Sequence, residues 1–211
     1  MDTANDFRIR LAEKAIDECE KSLGNLKIQK RKELIRKVAQ LKSEIQILKY
    51  SYMDFKELSE FESTLKISKT AEEILKKIEG HERDFHYLNS IYWLDYLYSL
   101  PKLLKRGEIE KASEAIRYFS GIIISSKKFD NLWLCKVDCG FGMDVITNSQ
   151  ELANRKRIVV AFLPPRQFGN YISEGMFVDA EFEKIGELDI SEIRSIKDRL
   201  KEVESVILSL L

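Results

Sequence analysis

The segment Leu132-Trp-Leu-Cys-Lys-Val-Asp-Cys-Gly140 decides the fold of the second half of the chain. Its β-branched and aromatic residues are bounded by turn-forming residues, which predicts a β-strand over 132–138. Four further segments after Gly107 have the same character and are interpreted as strands: Ile116–Ile124, Asp144–Thr147, Ile158–Leu163 and Phe177–Phe182. Five short strands within about 70 residues are typical of a small closed barrel of the oligonucleotide-binding (OB) type.

Two later blocks accompany this strand. Val159-Val-Ala-Phe-Leu-Pro-Pro-Arg-Gln-Phe-Gly169 is a hydrophobic strand that ends in Pro-x-Arg-x-x-Gly, and Ser173-Glu-Gly-Met176 follows it. In this order and at this spacing, the three blocks resemble the tRNA-binding domain family. That family comprises stand-alone tRNA-binding proteins, the C-terminal appendix of many methionyl-tRNA synthetases and the cytokine-precursor subunits of multi-synthetase complexes. The resemblance covers about Ile116 to Phe182 and implies an OB barrel that binds tRNA or another structured RNA.

Small barrels bind nucleic acid across one face, beside the loops that join the first two and the last two strands. Lys127 and Lys128 are expected in the first of these loops, and Arg166 in the last. Asn148 and Ser149, in a polar turn after the third strand, offer neutral donors for phosphate or 2′-hydroxyl groups. These five residues are candidate RNA contacts.

Four further residues complete the candidate RNA site. Arg155, Lys156 and Arg157 form the dense positive run of the barrel segment, for which RNA contact and a solvated loop are equally open interpretations. Ser173 is included because it matches the last block of the family that the chain resembles. Two glycines nearby, Gly169 and Gly175 in those blocks, are expected at turns with positive φ rather than in contact with a ligand.

The N-terminal half has a helical pattern. Apolar residues recur three and four apart from Ile9 to Leu26 and again from Leu34 to Leu48, with Gly24-Asn25 between the two stripes. An antiparallel helical hairpin is the preferred interpretation, and packing within the chain or coiled-coil dimerisation fits the second stripe equally well. The capping-box spacing Thr70-Ala-Glu-Glu73 predicts a further helix that ends at Gly80. An aromatic cluster over 85–98 is expected to be core rather than a base-stacking surface.

The predicted fold class is therefore α+β, with three parts. Residues 1–110 are a helical, coiled-coil-like assembly domain, residues 111–186 are the OB barrel, and residues 187–211 are a C-terminal amphipathic helix with Asp189 as its cap.

Composition argues against several kinds of protein. Three scattered cysteines are too few for a disulfide framework, and with two histidines they do not supply a zinc ligand set. No phosphate loop or nucleophile motif is present, so we predict a non-enzymatic protein without a cofactor or metal. We find no membrane-spanning run and no secretory signal, which predicts a cytoplasmic protein.

Two functions compete. In the first, the protein binds tRNA or structured RNA through its shape and backbone, in trans with an aminoacyl-tRNA synthetase or alone. In the second, it is an interaction scaffold that docks a synthetase or forms a homodimer through its helices, with weak or lost RNA binding. The formal net charge of zero favours the second, because RNA binding then depends on a local patch of positive charge.

Overall fold

The apolar stripes of the N-terminal half form helices that pack on one another. The computed structural model describes residues 3–211. A short 3₁₀ helix (Thr3–Asn5) precedes five α-helices: α1 (Phe7–Asn25), α2 (Arg31–Lys49), α3 (Phe55–Glu60), α4 (Glu62–Ile78) and α5 (Phe85–Leu104). The predicted break at Gly24-Asn25 is confirmed, since α1 ends at Asn25.

The four long helices form an antiparallel bundle. Helices α1 and α4 each pack on both α2 and α5. Two ion pairs show that α2 runs antiparallel to α1. Lys42 pairs with Asp17 at 3.1 Å, and Lys49, later in α2, pairs with Glu13, earlier in α1, at 2.9 Å. The predicted helical hairpin is thus confirmed. Its second stripe is buried within the chain itself: Leu34, Val38, Leu41, Ile45 and Leu48.

The structure corrects the predicted start of one helix and bears on the predicted aromatic core. The capping-box spacing at Thr70 does not begin a helix, because α4 already begins at Glu62. The earlier start is stabilised by tertiary packing: the Thr64 hydroxyl donates to the Leu58 carbonyl at 2.6 Å, and Ile67 is fully buried. Four residues of the aromatic cluster are core, as predicted: Tyr87, Tyr92, Trp93 and Tyr96. Phe85 is half-buried and Tyr98 is 45% exposed.

The second half forms the predicted antiparallel sheet. Its strands are β1 (Tyr118–Phe129), β2 (Leu132–Asp138), β3 (Gly142–Thr147), β4 (Arg157–Phe168), β5 (Tyr171–Val178) and the short β6 (Gly186–Glu187). The ladder runs β3-β2-β1-β4-β5, and β6 pairs with β1. One short helix, α6 (Gln150–Ala153), lies between β3 and β4. The α+β architecture, with helices before the sheet and after it, is confirmed.

The ladder of backbone hydrogen bonds is open between β3 and β5. Side chains of β5 bridge this gap: the Ser173 hydroxyl accepts the Ile146 N–H at 2.9 Å, and the Glu174 carboxylate accepts the Asp144 N–H at 3.1 Å. A fully closed ladder is therefore not formed. The predicted closed barrel is therefore observed as an open antiparallel sheet, because β3 and β5 are joined by side chains rather than by a backbone ladder.

Several strand boundaries differ from the prediction; β1, for example, continues to Phe129 instead of ending at Ile124. Strand β4 continues through Pro164-Pro165 to Phe168, because its register with β5 shifts between Phe162 and Arg166 and accommodates the two prolines. Strand β5 consequently begins at Tyr171, well before the predicted start. Gly175 lies inside it without positive φ; a Cβ there would come within 2.5 Å of the Ala161 carbonyl oxygen.

The interior of the sheet contains both of its cysteines. Cys135 and Cys139 are buried with Phe119, Val160 and Phe177 in one hydrophobic cluster. After the sheet, Asp189 and Glu192 form the predicted cap, here a complete capping box. The helix that follows is interrupted: α7 (Ile190–Ser195) and α8 (Lys201–Leu210) are separated by a 3₁₀ turn at Lys197–Arg199.

The chain divides into two compact units. The helical unit contains the residues up to Glu110 together with Leu210–Leu211, and the sheet unit is Lys111–Ser209.

Candidate nucleic-acid interface

Two hairpins of the sheet unit end in turns of the same design. The β1–β2 hairpin has Asp130-Asn131 between the paired residues Phe129 and Leu132. In the β4–β5 hairpin, Gly169-Asn170 lies between Phe168 and Tyr171, which are also paired. The first turn residue has positive φ in both, 49° at Asp130 and 58° at Gly169, as two-residue hairpin turns require. The positive φ expected at Gly169 is confirmed.

The two turns meet at a cleft of about 430 Å³. The rings of Phe129 and Tyr171 join the hairpins, with centroids 4.7 Å apart and planes tilted by 51°. The remaining lining residues are Asp130, Leu132, Phe168, Gly169 and Asn170. Three aromatic side chains of this open cleft are half-buried: Phe129, Phe168 and Tyr171. In proteins that bind single-stranded nucleic acid, bases stack on aromatic rings of this kind.

Three predicted basic residues lie near the two hairpin turns, in strands rather than loops, and none of them lines the cleft. Lys127 and Lys128 are in β1 and Arg166 is in β4, each one or two residues before the hairpin-closing phenylalanine, and all three are exposed. The loops are shorter than expected because each hairpin turns in two residues. The Lys128 ammonium lies 5.9 Å from the centre of the Trp133 ring, which places it beside an aromatic face.

The predicted polar contacts have mostly structural partners. Ser149 caps α6 by accepting the Leu152 N–H at 3.2 Å. Ser173 is buried, and its hydroxyl accepts from Ile146 and uses its O–H to donate to the Gly175 carbonyl. Asn148 is exposed at the end of β3, and it remains a candidate.

The positive run at the start of β4 does not belong to the cleft. An extended strand of this length separates Arg157 from Phe168 by roughly 30 Å. Arg155 is neutralised by Glu151 at 2.9 Å and Asp179 at 2.5 Å, and the hydrogen bond to Glu151 is the main reason why its pKa is raised. Arg157 donates to the Glu183 carbonyl, whereas Lys156 is exposed. The structure thus separates these three residues from Lys127, Lys128 and Arg166.

Sequence reasoning missed the aromatic residues of the cleft, Phe129, Phe168 and Tyr171. A signal for them was present: Phe129-Asp-Asn-Leu132 and Phe168-Gly-Asn-Tyr171 are both a phenylalanine, two turn residues and an apolar residue. Such pairs of turn residues between apolar residues indicate two-residue hairpins. Recognising both would have placed aromatic rings at both tips.

Other kinds of site find little support in residues 3–211. No group of three or more metal-ligating side chains occurs among them, and none of their helices is long and apolar enough to cross a membrane. The thiols are buried; burial raises the pKa of Cys135 to about 11 and that of Cys139 to about 12. A thiol with so high a pKa is a poor nucleophile at neutral pH.

Comparison with known proteins identifies the helical part of the chain. The family model described as "Alpha helical domain" matches residues 1–107. No curated protein matches the chain significantly.

Proposed function

The chain belongs to the alpha helical domain family through its first half, and we propose that its second half supplies the function, the binding of tRNA or another structured RNA. The observation that carries the proposal is the cleft at the two hairpin turns. It combines the rings of Phe129, Phe168 and Tyr171 with nearby positive charge.

The chemistry of the cleft suits unpaired nucleotides. An unstacked base gains a stacking partner from Phe129 or Tyr171, and every base has a face that stacks. The cations of Lys127, Lys128 and Arg166 are exposed within two residues of Phe129 or Phe168 in the sequence, and they offer donors for phosphate oxygens. Recognition would therefore depend on RNA shape and backbone more than on base sequence. The resemblance of Ile116–Phe182 to tRNA-binding domains makes tRNA the first RNA to test, and an aminoacyl-tRNA synthetase the first protein partner.

The cleft residues permit a direct test. In the Phe129→Ala/Tyr171→Ala variant, affinity for a tRNA transcript should fall about tenfold or more, because stacking contributes roughly 1–3 kcal/mol per base. Filter binding at fixed salt measures this. Phe141→Ala is the matched control, since Phe141 is 44% exposed in the same unit and is outside the cleft. Equal affinity of the double variant and the wild type would reject the cleft as the RNA site.

Charge variants test the same site independently. Replacing Lys127, Lys128 and Arg166 with Gln should reduce the slope of log affinity against log salt by about 2, since each lost phosphate contact removes roughly 0.7–0.9. The ion-paired Arg155 should contribute less, so Arg155→Gln should leave the slope nearly unchanged. The opposite ranking would move the site to the start of β4.

A scaffold function is the second candidate, and one surface favours it. A groove of about 340 Å³ on the helical unit is lined by Leu75, Ile91 and Tyr98 together with charged residues of α4. Apolar residues in an open groove are typical of protein-docking surfaces. A pull-down from native lysate separates the two functions: a partner that resists nuclease and is lost in Tyr98→Ala supports docking, whereas co-purified tRNA supports RNA binding.

A further inference from the structure

A cluster of cations lies where α1 turns into α2. Lys27, Lys30, Arg31, Lys32 and Arg36 occur within ten residues and are all exposed. We call this group the cationic turn. The acid inside the segment, Glu33, faces Lys77 of α4 at 3.8 Å, and the next cation, Lys37, pairs with Glu73 at 3.3 Å. The carboxylates of Glu33 and Glu73 are therefore paired with cations outside the cationic turn.

The cationic turn is not neutralised within the chain. Over residues 3–211, none of its five side chains has a carboxylate within the 4.0 Å of an ion pair. Other lysines on the same two helices behave differently. Lys14 pairs with Glu18, Lys42 with Asp17 and Glu20, and Lys49 with Glu13. Most charge on this face of the bundle is therefore compensated, and the turn is a local exception.

Positive charge at this place contributes little to the fold: over residues 3–211, the one side-chain hydrogen bond of these five cations runs from Arg31 to the Leu26 carbonyl at 3.4 Å. Lys30 is the N-cap of α2, makes no side-chain cap hydrogen bond and has positive φ. Lysine and arginine at the start of a helix lie at the positive end of its dipole, where cations are unfavourable. Lys32 and Arg36 are four residues apart on one helix face, where like charges repel. Bound anions would relieve both effects.

We propose that the cationic turn binds the phosphate backbone of RNA and is a second contact surface for the same ligand. The inference rests on the proposed function. In a chain with a formal net charge of zero, RNA affinity requires local, uncompensated cations, and the cationic turn is such a group in the helical unit.

The composition of the turn favours nucleic acid over an acidic protein. Protein interfaces have a buried apolar or aromatic centre, whereas the large exposed apolar residues of the helical unit lie elsewhere: Ile47, Tyr50, Tyr52, Leu65 and Tyr98. Contacts to phosphate oxygens need only donor side chains that are exposed to solvent, without an apolar centre.

A charge-matched pair of variants tests the proposal in the full chain. The turn variant is Lys27→Gln/Lys30→Gln/Lys32→Gln, and the control is Lys14→Gln/Lys42→Gln/Lys49→Gln, which removes the same charge from ion-paired positions. Affinity for a tRNA transcript and its salt dependence are measured by filter binding. For the turn variant, affinity should fall about tenfold and the salt slope by about 2, while the control changes little. Circular dichroism checks that both variants remain folded.

The outcomes distinguish this proposal from the cleft. If the turn variant binds like the wild type while Phe129→Ala/Tyr171→Ala does not, the cationic turn is rejected and the proposed function stands. If the turn variant loses binding and the cleft variant does not, the cationic turn stands and the cleft is rejected. Wild-type protein that binds no RNA rejects both. A nuclease-resistant protein partner that depends on Lys27, Lys30 and Lys32, with RNA affinity unchanged, overturns the assignment to RNA.

Discussion

The helical unit and the sheet unit each contain a buried polar side chain that joins distant segments, and the two side chains differ in charge. In the helical unit, the fully buried Arg8 pairs with Asp6 at 2.7 Å and donates to the carbonyls of Leu103 and Gly107 at the end of α5. In the sheet unit, the buried hydroxyl of Ser173 connects β5 to β3 across the open edge. Both bond to backbone far away in the sequence.

The difference in charge predicts different tolerance to mutation. A buried ion needs its whole set of partners, and removing one partner leaves an uncompensated charge. Removing a buried hydroxyl takes away only neutral hydrogen bonds, here those to the Ile146 N–H and the Gly175 carbonyl. The helical unit should therefore be the more sensitive of the two to loss of its central polar residue, although its sequence pattern is the more regular.

The largest expected effect is that of Arg8→Met. It leaves the buried Asp6 without its cation, and the carbonyls of Leu103 and Gly107 each lose one donor, so the helical unit should lose about 3–5 kcal/mol of stability. The free thiols report each unit separately, because Cys19 is buried in the helical unit and Cys135 and Cys139 are buried in the sheet unit. Alkylation along a urea titration, read by mass spectrometry, should show earlier exposure of Cys19 alone.

The control for this experiment is Lys14→Met, which removes an exposed cation from the same helix and should cost less than about 1 kcal/mol. Equal sensitisation of all three thiols by Arg8→Met would break the comparison, because the two units would then unfold together.

Ser173→Ala should have an intermediate effect. The Ile146 N–H then lies buried without its acceptor, which should cost the sheet unit about 1–2 kcal/mol. Cys135 and Cys139 should become accessible at lower urea, and Cys19 should not. Ser125→Ala is the control on an exposed position of β1. If Ser173→Ala instead weakens RNA binding with no loss of stability, its hydroxyl is a ligand contact and the bridging role is wrong.

The sequence pattern predicts the helical unit well because its signal is local. Apolar residues three and four apart determine α1 and α2, and the predicted stripe positions are buried. The start of α4 was wrong because tertiary contacts of Thr64 and Ile67 outweigh a capping-box spacing. Burial of Arg8 had no local signal, since its carbonyl partners are more than 90 residues away.

The candidate site was predicted in part. Lys127, Lys128 and Arg166 were predicted in the first and last loops, and the structure places them in β1 and β4, near the two hairpin turns. Ser173 was chosen because of the family resemblance. In the structure its hydroxyl accepts the N–H of Ile146 in β3, a contact between β5 and β3 that no local sequence pattern indicates. The charge density of Arg155-Lys-Arg157 was visible in the sequence, but its neutralisation by Asp179 depends on folding. Such pairings between distant segments are not visible in the local sequence.

The smallest expected effect concerns Glu44 and the pH dependence of the stability of the helical unit. A hydrogen bond from Lys66 lowers the pKa of the nearly buried Glu44, and one from Ser63 adds to this. A carboxyl with a lowered pKa in the folded state stabilises the protein above its ordinary pKa of about 4.3, and this contribution is lost as the pH falls through the folded value. Because Lys66 is 60% exposed, the loss of stability should be below about 1 kcal/mol.

Glu44→Gln should therefore flatten the fall in stability of the helical unit below pH 4.5, measured by urea denaturation followed by circular dichroism. An identical pH profile in the variant would show that other carboxylates account for the acid sensitivity of this unit.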